Sequence, residues 1–204
     1  MNNLHKALGD ISSIRRQVAS SMEFRGYGPA TLAATGVLAI SAAMVQSLAL
    51  PAPATHIFGY LGIWVPAAVL SSALAGRQMY TRSRRIHSSL SNEMIQMAVE
   101  QFLPSVAAGL LLTIVILRAA PAEAWMLPGL WQVAFSLGIF SSRRFLPRPI
   151  LAAGIWYMLT GLICIGMDGP RALSPWAMGI PFGVGQMLVA GILFFASREV
   201  HDEA

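Results

Sequence analysis

Six apolar runs, each nearly free of charge, restrict what this chain can fold into: residues 30–50, 57–75, 102–117, 125–140, 150–167 and 176–196. A helix that crosses the hydrocarbon layer needs roughly 20 such residues. Composition points the same way, because charged residues make up 11% of the chain and an ordinary soluble domain carries about a quarter. Nine acidic and fourteen basic side chains are too few to cover a water-soluble core of this size. The expected fold is therefore all-α: a polytopic membrane protein of six transmembrane helices arranged as three antiparallel hairpins. The third and fourth runs are short, since 16 residues at about 1.5 Å each reach only about 24 Å, and both are expected to lengthen backward through semi-polar sequence.

Lysine and arginine set the orientation, because cationic segments are retained on the cytoplasmic side during insertion. Lys6, Arg15, Arg16 and Arg25 precede the first run, Arg77, Arg82, Arg84 and Arg85 follow the second, Arg143, Arg144 and Arg148 follow the fourth, and Arg198 follows the sixth. Only Arg118 and Arg171 fall in the alternate connections, so the division is twelve against two. Both termini are expected in the cytoplasm, with the chain in a plasma membrane of the bacterial inner-membrane type. Tyr60, Trp125 and Trp176 near the outer ends, and Tyr27, Tyr80 and Phe145 near the inner ends, read as interfacial anchors.

The first 28 residues read as a cytoplasmic amphipathic helix, with Leu4, Leu8, Ile11, Ile14, Val18 and Met22 at three- and four-residue intervals. They show no short apolar core with a small-residue cleavage site, so a removable signal peptide is not expected. A six-helix domain over residues 29–197 and a tail over 198–204 complete the division. The connection from Gly76 to Gln101 reads as a helical hairpin extending spans two and three. A parallel repeat of three hairpins is faintly visible in Gly62-Ile63-Trp64-Val65, Gly129-Leu130-Trp131-Gln132 and Gly183-Val184-Gly185-Gln186. General enrichment of small residues in membrane helices explains those strings with fewer assumptions.

Helices in lipid gain nothing by hiding leucine against leucine and associate through close packing at small residues. Thr35, Ala39, Ala43 and Ser47 line one face of the first run, Ala68, Ser72 and Gly76 one face of the second, and Gly179 and Gly183 form a small-xxx-small pair in the sixth. The same stripes suit a homodimer interface equally well. Pro66, Pro104 and Pro181 each free a carbonyl four residues back, and in lipid that carbonyl needs another partner.

No acidic, basic or histidine residue falls mid-run, which argues against proton relays, ion-coupled pumping and haem ligation at depth. Metal-ligand spacing, a nucleophile elbow and a phosphate-cradling loop are absent from the sequence. No catalysis, cofactor or metal is expected. The neutral polar groups Gln46, Gln132 and Gln186, with Trp64, Trp131 and Tyr157 at similar depth, are candidates to line a ligand pocket or pathway. Interhelical hydrogen bonding is the simpler use of the amides, since it needs no ligand. Glu100, one turn before Pro104, is a candidate gate at the cytoplasmic mouth, and pairing with Arg82, Arg84 or Arg85 is the simpler alternative.

Arg82, Arg84, Arg85, Arg143 and Arg144 suit anionic lipid headgroups or an acidic cytoplasmic partner, although insertion topology already accounts for them. Nucleic acid is not an expected partner. The functional expectation is a non-catalytic binding or regulatory membrane protein whose bundle receives a small apolar or neutral ligand or a partner helix. The alternative is a small uncoupled transporter or channel.

Overall fold

In a computed structural model the described residues are 28–86, 89–143, 149–167 and 169–202, with side chains described outside 82–98 and 196–202. The expected N-terminal amphipathic helix, the side chains of Arg82, Arg84 and Arg85, and Arg144 lie outside this set. Among the described residues there are six α-helices and no strand: α1 Pro29–Ala49, α2 Ile57–Ile86, α3 Ser89–Ala119, α4 Leu127–Ser142, α5 Ile150–Ile165 and α6 Pro175–Asp202. Short 3-10 turns at Pro121–Met126 and Gly169–Arg171 precede α4 and α6.

Proline and glycine punctuate the helices. Pro29 occupies the first turn of α1, where its missing N–H is no loss, and the Gly28 N–H donates to Gln78 Oε1 at 2.9 Å, joining that end to α2. Ala120, ahead of Pro121, leaves helical geometry at φ −145° and ends the run of α3. Gly169 turns the chain at φ +50° before α6, a conformation with little strain only in glycine.

Among the described residues, five segments are long and apolar enough to cross a membrane: Pro29–Ala49, Ile57–Thr81, Val99–Ala119, Pro121–Ser142 and Gly169–Phe195. The fifth apolar run is helical over Ile150–Ile165, only 16 residues, because Gly166 ends it. The third and fourth runs lengthen backward, as helix and as a 3-10 turn respectively. Apolar side chains cover the outside of the bundle, among them Leu48, Phe58, Leu111 and Phe195.

Among the described residues the most extensive packing joins α1 to α6 and α4 to α5, followed by α3 to α4 and α1 to α2, with little between α2 and α3. The three sequence hairpins are thus not the main packing units. Glycines explain the order. At the α1–α6 crossing a Cβ on Gly179 would stand 2.5 Å from that of Ala43, and one on Gly36 would stand 3.1 Å from the Gly183 carbonyl. At α4–α5 the approach is reciprocal, Gly129 against the Gly161 carbonyl at 2.7 Å and Gly161 against the Gly129 carbonyl at 2.9 Å. Only the missing side chains allow such proximity. On α2, by contrast, Ala68, Ser72 and Gly76 face outward, and Gly62 and Gly76 have open space around them.

Candidate ligand site in the helix bundle

The connections α1–α2, α3–α4 and α5–α6 meet at one end of the bundle and border a half-open cleft of about 340 Å³. Ala54 comes from the first connection and Ile57 from the start of α2, Pro121, Ala122, Ala124 and Trp125 from the second connection, and Gly169, Pro170 and Leu173 from the third. The lining is apolar except for backbone groups. Trp125 is fixed at its edge, where the indole N–H donates to Glu123 Oε2 at 2.9 Å.

Leu173 forms the floor and is itself buried. Beneath it lies one hydrophobic cluster that includes Tyr60, Trp64, Met178, Ala39 and Ala43, with Trp131 and Phe182 packed on its edge. Tyr60 stacks on Trp131 at 6.4 Å between ring centroids and meets Trp64 at 6.3 Å. Its place near the outer end of the second run predicts an interfacial position for Tyr60. It is instead wholly buried, because the space between α1, α2 and α4 is filled by its ring. A second aromatic group, Phe102, Phe135, Tyr157 and Phe182, continues the core toward the other end.

The three glutamines do not share one role. Gln46, fully buried, is satisfied at both ends of its amide: Nε2 donates to the Leu173 carbonyl at 2.7 Å, and Oε1 accepts the Trp64 indole N–H at 2.6 Å. It ties α1 to α2 and to the floor of the cleft. Gln132 Nε2 donates to the Ala177 carbonyl at 2.9 Å and lies 3.8 Å from Met178 Sδ. Ala177 stands four residues before Pro181, so the acceptor is the carbonyl that proline strips of its helical donor. Gln132 therefore fills a vacancy created by the α6 sequence. The adjoining Pro181 carbonyl accepts the Trp156 indole N–H at 2.9 Å.

Gln186 is only partly buried. Its side chain approaches the Tyr157 hydroxyl, short of a hydrogen bond of good geometry. Trp131 donates to Thr113 Oγ1 at 2.8 Å, and Thr113 donates on to the Gly109 carbonyl at 2.7 Å, which fastens α4 to α3. Thr35 bonds locally to the Leu32 carbonyl at 2.8 Å. Glu100 is exposed on α3. No group of three or more potential metal ligands occurs among the described residues.

Five buried side-chain oxygens among the described residues lack a hydrogen-bond partner: Tyr60 OH, Gln132 Oε1, Ser136 Oγ, Ser142 Oγ and Tyr157 OH. Sequence reasoning missed Ser136, although its position one turn after Gln132 puts both on one face of α4. It also missed Leu173 and Met178, which nothing in their local sequence distinguishes from ordinary core residues.

Comparison with known protein families, with curated proteins and with solved structures finds no match to this chain.

Proposed function

We propose that the chain is a non-catalytic membrane protein of six spans, with both termini cytoplasmic, that receives a small apolar or neutral molecule in its outer cleft. The cleft is the observation that carries this reading. It is concave and half-open, lined by apolar side chains with backbone polar groups among them, formed by three separate connections and floored by a residue continuous with the aromatic core, and its volume falls at the lower end of the range of small-molecule sites, about 300–1,000 Å³.

Support for six crossings comes from the same geometry. Three alternate connections meeting at one end require neighbouring helices to run in opposite directions. Most lysine and arginine lies in the other connections, the side retained in the cytoplasm. Helix α5 reaches about 24 Å by its 16 residues, so Pro149, Gly166 and Met167 complete its passage through the layer.

The test uses purified protein in liposomes with benzyl alcohol as a neutral aromatic probe, followed by saturation-transfer NMR against protein-free liposomes. Transfer from wild-type protein should be lost in Ala122→Trp, where an indole placed at the exposed rim fills the cleft. Equal transfer from both proteins would reject the cleft as the binding place. An uncoupled channel is the second reading, favoured by the unpartnered oxygens in the core; it requires glycerol flux in the same liposomes, which the leading reading does not.

A further inference from the structure

Gln46 and Gln132 are both fully buried, yet only one is satisfied. Each oxygen and nitrogen of the Gln46 amide meets a protein partner. Gln132 is held by its NH₂ group alone, between the Ala177 carbonyl and the Met178 sulfur. Turning that amide over would set its carbonyl against two acceptors, so the network fixes the orientation and leaves Oε1 bare. Ser136, also fully buried, presents a second bare oxygen one turn along the same face of α4.

Buried polar atoms without a protein partner are commonly satisfied by an ordered small molecule, because a bare buried amide carbonyl is costly. The chemistry of the pair selects the occupant. Gln132 Oε1 can only accept, so the occupant must donate, while the Ser136 hydroxyl can donate or accept. Among the described residues no Asp, Glu, Lys, Arg or His side chain is buried, and the polar groups of the interior are amides, hydroxyls, the phenols of Tyr60 and Tyr157 and the Cys164 thiol. A cation would shed its hydration with no anion to replace it. An anion would face a carbonyl oxygen. Packing also limits the size, for a Cβ on Gly161 would stand only 3.0 Å from that of Gln132.

We propose that Gln132 Oε1 and Ser136 Oγ hold a small neutral hydroxyl donor inside the bundle, either a bound water or the O–H of a small solute. This site is separate from the outer cleft and holds whether or not the cleft takes a ligand.

Solid-state NMR of the full chain in lipid bilayers, with glutamine labelled at Cδ and Nε, tests it by magnetisation transfer from water. The expected result is a water cross peak at the Gln132 side chain and none at Gln46. The comparison lies within wild-type protein and depends on no variant folding. If the hydroxyl belongs to a solute, the water peak is missing. Mass spectrometry of the extracted wild-type protein then finds a neutral hydroxyl compound that is lost from Ser136→Ala. Identical behaviour of Gln46 and Gln132, with no compound distinguishing wild type from Ser136→Ala, would overturn the proposal.

Discussion

Replacing Gly129 with alanine should separate α4 from α5. The added methyl would stand 2.5 Å from Ile165 Cγ1, 2.7 Å from the Gly161 carbonyl oxygen and 3.0 Å from the Ile165 nitrogen. Two of those three neighbours are backbone atoms and have no rotamer to escape into. Since contacts are optimal near roughly 3.5 Å, the helices must part by on the order of 0.5–1 Å, which forfeits about a quarter to a half of each dispersion contact they share. Overpacking of this kind costs about 1–3 kcal/mol, and the better helix propensity of alanine returns about 1 kcal/mol. The net expectation is a loss of up to about 2 kcal/mol against wild type, or up to about 30-fold in the ratio of folded to unfolded protein, and of about 1–3 kcal/mol against a helical Gly→Ala change that meets no neighbour. Unfolding by SDS in mixed micelles measures it directly, with Gly62→Ala as the control because its added methyl meets nothing within 4 Å. If Gly129→Ala is as stable as Gly62→Ala, the α4–α5 crossing described above is wrong.

Gln46→Leu leaves the Trp64 indole N–H and the Leu173 carbonyl without partners, at a cost of about 1–3 kcal/mol for each buried orphan; adding Trp64→Phe should recover part of that loss in the same unfolding assay. Gln132 and Pro181 should be energetically coupled. Pro181→Ala restores a helical donor to the Ala177 carbonyl, so Gln132→Leu should cost less in that background, with a coupling of about 0.5–3 kcal/mol in a double-mutant cycle. Strict additivity would show that the Ala177 carbonyl is not what holds Gln132.

The sequence marks its helices clearly because lipid tolerates only long apolar segments with internally satisfied backbones. Proline and glycine at Pro29, Pro121, Gly166 and Pro175 then set the ends. The partners of each helix are harder to read. Small residues mark α1, α2 and α6 as able to approach something closely, yet the α2 stripe faces outward, and α1 meets α6 and α4 meets α5 through geometry that no local pattern encodes. Tyr60 shows the same limit: an aromatic near a helix end suits both the membrane interface and the core, and only the space beside Trp131 decides. Gln132 was legible as a polar group in need of a partner. Its acceptor was visible too, since Pro181 exposes Ala177 by the rule of four residues, yet nothing in the sequence joins the two.

Cysteine accessibility in intact cells tests the threading most directly. In a Cys164→Ser background, Ala54→Cys and Ala122→Cys, both on connections that line the cleft, should react with a membrane-impermeant maleimide added from outside. Ser83→Cys, between the basic residues Arg82 and Arg84, should react only after the membrane is opened. Labelling of Ser83→Cys in sealed cells, or protection of both Ala54→Cys and Ala122→Cys, would contradict the six-span arrangement and the outward-facing cleft together.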